Sequence, residues 1–145
     1  MRIIGLPHDK KRPESVELEG DGLFAPEPKD AEAILTKLEV LLGVGDLKMT
    51  IQCPKRLNGD LKNQRKGTYF IVSDGNKENP NMLASACFNF DEIVFGNAYV
   101  VSMDAGKDGL YTEFNRSPED MDNALWQING YADIIMLLEK TRDYD

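Results

Sequence analysis

Apolar residues first gather in "RIIGL", stop at Pro7, and return at alternate positions in "ESVEL", where Val16 and Leu18 share one side. A period of two marks a half-buried strand, and the polar stretch "HDKKRP" between the segments predicts a hairpin. The spacing then changes to three and four. Ile34, Leu35, Leu38, Leu41 and Leu42 share one face of a helix expected near residues 30–42, capped by Asp30 and stopped by Gly43. "DLKMTIQC" returns to strict alternation, with Leu47, Met49, Ile51 and Cys53 on one side and Lys48, Thr50 and Gln52 on the other. That pattern suits a strand with one wet face.

Further along, "TYFIVS" is β-branched and aromatic, and predicts a strand. Asp74-Gly75 through Pro80 predicts a turn, "MLASACF" the next strand, and "NAYVVSM" and "LYTEF" a further pair joined at "AGKDG". "DEIVFG" is too short to assign. Ser117-Pro118-Glu119-Asp120 has the cap, first-turn proline and acids of a helix start. Met121, Leu125, Trp126 and Ile128 can share a face of that helix; Gly130 is a place for it to break or kink, and "YADIIMLLEK" is either a second helical piece or a continuation. Strands follow one another from 46 to 114 with no long helix between them. The expected fold is therefore α+β: one domain over 1–145, with a mostly antiparallel sheet of about six or seven short strands. One helix lies near 30–42 and another begins near 118. A basic loop, 54–67, is expected to be mobile.

Composition adds limits. With 145 residues, 41% apolar and 29% charged, the chain can bury a core without staples. Its formal charge of −8 opposes nonspecific binding to DNA. No apolar run approaches the roughly 20 residues needed to cross a bilayer. The opening residues do not resemble a secretory signal, so a cytoplasmic location and no membrane contact are expected. Cys53 and Cys87 then read as buried free thiols rather than a bridge.

Candidate chemistry is sparse. The single histidine, His8, lies in a turn, and no nucleophile motif stands near it. Two cysteines and one histidine are too few for a structural zinc site. "DAGKDG" and "DGNKENPN" fit hairpin turns better than calcium loops. Glu119-Asp120 is explained by the helix dipole, and Asp91-Glu92, Asp104 and Asp108 by turns. No catalytic residue, metal or cofactor is expected. Trp126, Ile134 and Leu138 read either as core or as an interface, which would make the protein a homo-oligomer.

One stretch departs from the acidic background. "CPKRLNGDLKNQRKGTYF", residues 53 to 70, holds five of the 17 basic residues and one acid. It carries +4, so the remainder of a −8 chain carries −12. Either its lysines are a solvated counterweight, or it is an anion site. In the second reading Arg56 and Arg65 clamp a phosphate or carboxylate, and Lys55, Lys62 and Lys66 add point charges. Asn58 and Asn63 would add amide hydrogen bonds, and Tyr69 or Phe70 would stack on a base.

"MRIIGLPHDKKRPESVEL", "LEVLLGVGDLKMTIQC" and "FIVSDGNKENPNMLASACFNFDEIVFGNAYVV" together resemble a family of small proteins of unassigned function encoded by phages and mobile elements. The likeness spans roughly residues 1–128, and its most distinctive positions here are Asn81, Ala84, Asp91, Ile93, Gly96 and Ala98. It implies a mobile-element origin, a role toward a host component, and no particular reaction. Joined to the missing catalytic groups, it leads to an expected function. The chain would be a non-enzymatic accessory protein, inside a bacterial cell, that blocks a host system, defence foremost, by stoichiometric binding or sequestration. Its partner would be a host protein, whose basic groove the acidic surface occupies, or a phosphate-bearing nucleotide signal trapped by the basic segment. A small enzyme using carboxylates as acid and base is the remaining class.

Overall fold

The computed structural model describes residues 2–18, 31–49, 54–58, 67–105, 111–114 and 118–142. The first two strands, β1 (Arg2–Leu6) and β2 (Glu14–Glu17), form the expected hairpin, with Ile3 opposite Val16. Helix α1 (Ala31–Leu42) follows and ends at Gly43, whose φ of 69° is the left-handed stop that glycine tolerates best. The strand expected over 46–53 is described only as β3 (Lys48–Met49); residues 50–53, Cys53 among them, lie outside the described residues.

A single helical turn, α2 (Lys55–Asn58), opens the basic segment, and β4 (Thr68–Ser73) follows it. Next come β5 (Pro80–Asn81), α3 (Met82–Ala86), β6 (Val94–Phe95), β7 (Ala98–Ala105), β8 (Tyr111–Phe114) and α4 (Pro118–Arg142). The strand expected at "MLASACF" is thus a helix. Leu83, Ala84, Ser85 and Ala86 are all buried, and a short run apolar on every side carries no periodicity to separate strand from helix. At Gly130 the helix continues, so "YADIIMLLEK" belongs to α4 and is not a second piece. None of the described helices is long and apolar enough to cross a membrane.

The main sheet runs β2-β1-β7-β4-β3, with β8 also paired to β7, and every described pairing is antiparallel. Strand β7 is long enough to pair β1 along its first half and β8 along its second on the same side. The sheet is covered on both faces. Ile4, Leu6, Tyr69, Ile71 and Val100 face α3 and α4, meeting Leu83, Cys87, Met121, Ala124 and Ile128. Ile3, Val72, Val101 and Met103 face the other way, toward Leu38 of α1 and Leu47. This explains why "TYFIVS" is apolar throughout instead of alternating: β4 is a central strand between β7 and β3.

Two polar clasps hold the turns beside this sheet. Asn81, 1% exposed, caps α3 by accepting from Ala84 N at 3.0 Å. The same side chain donates to Leu6 O at 2.7 Å and Gly96 O at 2.8 Å, tying β1 to the turn before β7. Beneath it, one carboxylate oxygen of Asp74 accepts from Asn76 N and the other from Asn97 N. Those two bonds join the turn at 74–79 to the start of β7.

Candidate functional site

Only the first part of the basic segment falls among the described residues. Lys62, Asn63, Arg65 and Lys66 lie outside them, and for Lys55 the backbone position in α2 is described but not the side chain. What remains centres on Arg56. Pro54 starts α2, and Asn58 closes it: its amide donates to Pro54 O at 3.1 Å and Tyr69 O at 2.9 Å, and accepts from Tyr69 N at 2.7 Å. Asn58 is therefore a buried staple between α2 and β4, and both of its amide donors are spent, leaving none for an anion.

Tyr69 also departs from its expected role. It is 7% exposed, and its hydroxyl donates to Asp120 O at the start of α4. Burial, and then the Asp120 charge, push its pKa up to about 12. A ring fixed in the core cannot stack on a base. Phe70 points to the opposite face of the sheet and packs against the second core.

The pinned α2 turn carries Arg56 to the rim of α4. Its backbone N–H donates to Cys87 O, its Nε donates to Asn89 Oδ1, and its guanidinium carbon lies 5.0 Å from the centre of the Tyr131 ring. Tyr131 is anchored in turn by its hydroxyl to Gln127. Asn89 and Phe90 follow α3 with φ of 56° and 61°. Two consecutive left-handed residues other than glycine are costly, and such strain persists where the surroundings hold it in place. Here Asn89 meets Arg56, and Phe90, the next residue along the chain, is left 44% exposed.

The partners of Arg56 differ in kind from those of the other arginines whose side chains are described. Arg2 pairs with Asp122, and Arg12 with Asp133 at 2.6 Å. Lys10 and Lys11 pair with Glu14 and Glu139. Arg56 is held by an amide oxygen and an aromatic face, both neutral, and no carboxylate among the described residues closes on it. Its charge is held in position by neutral groups, has no carboxylate partner among the described residues, and sits on an exposed side chain.

Among the described residues, the thiol nearest Arg56 is not a reactive one. Cys87 is buried and its thiol is free. Burial pushes its pKa up to about 12, and the Arg56 charge opposes that only weakly. Because the folded value lies above the ordinary one, the associated stability is complete below about pH 9 and falls as pH rises toward 12. Native protein at pH 8 is expected to leave Cys87 unmodified by iodoacetamide while urea-unfolded protein is alkylated, as read by peptide mass. A Cys87→Ala variant should lose less stability than the parent between pH 9 and 12.

His8 donates its backbone N–H to Asn97 Oδ1 and lines a cleft of about 210 Å³ with Asn81, Met82, Ile135 and Glu139. That cleft contains no serine, cysteine or threonine. Among the described residues no group of three or more histidine, cysteine or acidic side chains converges on a metal position. Trp126, Ile134 and Leu138 are not core: all three project from the outer side of α4. Asn89, Phe90 and Tyr131 escaped sequence reasoning. An asparagine after "MLASACF" is a signal for a left-handed helix stop, but only once that stretch is read as helical. Comparison of the chain with protein families, with characterised proteins and with solved structures finds no match in any of the three.

Proposed function

We propose that this chain is a non-catalytic binding protein, of phage or mobile-element origin, that sequesters a phosphate-bearing ligand at Arg56 and the basic segment beginning there. The observation carrying this reading is the guanidinium of Arg56, clamped by the neutral side chains of Asn89 and Tyr131 with no carboxylate partner among the described residues. A guanidinium held in place by neutral groups has little entropy left to lose, and its outer edge matches two phosphate oxygens. The exposed ring of Phe90 offers an apolar surface for a base beside it. Blocking a host system by removing a nucleotide signal requires nothing more than such a site.

The alternative, an acidic decoy for a basic host groove, has less support. Asp122, Asp133 and Glu139 on α4 are already engaged by Arg2, Arg12 and Lys11 from the N-terminal hairpin.

The test is calorimetric titration with a panel of mono-, di- and cyclic nucleotides and inorganic pyrophosphate. A binder at 100 times its dissociation constant should stabilise the fold by about 2.7 kcal/mol. Arg56→Ala is expected to weaken binding about 10- to 100-fold, the range for losing a charge-assisted hydrogen bond. Arg12→Ala, which removes a paired arginine elsewhere, should leave it unchanged. Full-strength binding by Arg56→Ala, or no binding by any phosphate compound, would refute the proposal. Salt-sensitive capture of a host protein would favour the decoy, and turnover of any compound would discard both.

A further inference from the structure

The outer side of α4 carries apolar side chains that the fold does not use. Met121, Ala124, Ile128 and Ala132 share the stripe that faces the core. Trp126, Ile134, Leu137 and Leu138 fall on the opposite side and are 79%, 56%, 64% and 59% exposed. Gly130 sits midway between Trp126 and Ile134 at a spacing of four, so the three positions line up along one side of the helix. A Cβ on Gly130 would meet nothing within 4 Å. Glycine weakens an exposed helix interior, and no contact within this chain requires it there.

We propose that a second copy of the chain docks on this stripe, with the two α4 helices packed antiparallel about a two-fold axis. One register satisfies shape and charge together, and it is centred on Ala132. Ile134 then seats in the notch at the partner's Gly130, and Trp126 covers the partner's Leu138. Symmetry repeats each contact, as an isologous interface demands. A flat lipid surface would gain nothing from a notch placed opposite Ile134.

Charge selects the same orientation. Asp122 and Lys140 lie on one flank near opposite ends of α4. Antiparallel packing brings Lys140 within reach of the partner's Asp122, which Arg2 of its own chain already pairs, so that the acid sits between two cations. A parallel pair would oppose like charges. Asp133 falls near the axis, where Arg12 already offsets it. The pairing rests on α4 alone and needs no anion. Tyr131 is one residue from the centre of the register, so both Arg56–Tyr131 stacks come to the same side of the dimer.

Sedimentation of the full chain over a wide concentration range tests this. The parent is expected to pass from monomer to dimer. Leu138→Asp and Gly130→Leu should each weaken association at least tenfold while circular dichroism stays native, since both positions are exposed. Gly130→Leu is the sharper probe: as a dilute monomer it should melt higher than the parent, because leucine favours the helix. For the register, Gly130→Cys and Ile134→Cys chains, each also carrying Cys53→Ser, are mixed and oxidised. The mixed disulfide dimer should form faster than either like pair. A parent that stays monomeric throughout, or a dimer that tolerates both substitutions, would overturn the proposal, and faster cross-linking of like chains would overturn the register.

Discussion

Asn81→Leu is expected to cost about 4 kcal/mol, a large part of the stability of an ordinary domain, and to appear as a lowered urea midpoint with an unchanged slope. The side chain is 1% exposed and makes three hydrogen bonds to three different backbone segments. Leucine fills much the same space but bonds to none of them. Leu6 O and Gly96 O would be left buried without this donor, each costing about 1–3 kcal/mol, and loss of the α3 cap would add about 1 kcal/mol. Asn81→Asp separates these contributions. It keeps an acceptor for Ala84 N but turns a carboxylate toward two carbonyl oxygens. Burial and those oxygens raise the pKa of the new acid, so its folded form favours the proton. That variant should be least stable at neutral pH and recover as pH falls and the acid becomes a donor. Should Asn81→Asp prove as stable as the parent at pH 7, the clasp is not closed in solution.

Gly96→Ala is expected to be comparably damaging, again about 4 kcal/mol by urea unfolding. Gly96 has a φ of 82°, which costs any other residue about 1–2 kcal/mol. Space compounds the strain. A Cβ at this position would fall on the Asp74 carboxylate and 2.9 Å from Asn76 N. The methyl group must therefore displace the group that joins the 74–79 turn to the start of β7, breaking its bonds to Asn76 N and Asn97 N. Gly96 N also donates to Asn79 O at 2.6 Å, so the backbone has little room to retreat. Gly45→Ala is the control. No atom lies within 4 Å of a Cβ there, and its φ is not left-handed, so a change within about 0.5 kcal/mol is expected. Equal effects at the two glycines would show that close approach is not what fixes Gly96.

These two residues also mark what the sequence made legible. Wherever one period dominated, the pattern gave the element: the β1–β2 hairpin and α1 follow from spacings of two and of three to four, while β4 and β7, buried on both faces, were legible from their β-branched and aromatic residues. The α+β class followed from strands running consecutively. Reading failed where burial on all sides erased the period. α3 looked like a strand because all its inward and outward positions are apolar or small, and the capping role of Asn81 was hidden with it. At Gly130 propensity left a break and a continuation both open, and the core contact on the other side of α4 carries the helix through. The candidate site was legible in one residue. Charge clustering singled out Arg56, but its significance depends on Asn89 and Tyr131, which come from distant turns of the chain and have no sequence relation to it. Tyr69 was misjudged for the opposite reason. Its aromatic ring suggested stacking, while a central strand covered on both faces leaves such a ring no exit.

The placement of β1 has a consequence for how the chain is made. Its neighbours are β2, β7 and α4, so during synthesis β1 finds one partner at once and the other two only after the strands and helices between them have been made. Vectorial assembly, segment by segment, is closed to such a topology. The nascent hairpin must wait, its apolar side uncovered, until α4 emerges, and closure of this core should depend on every residue through that helix.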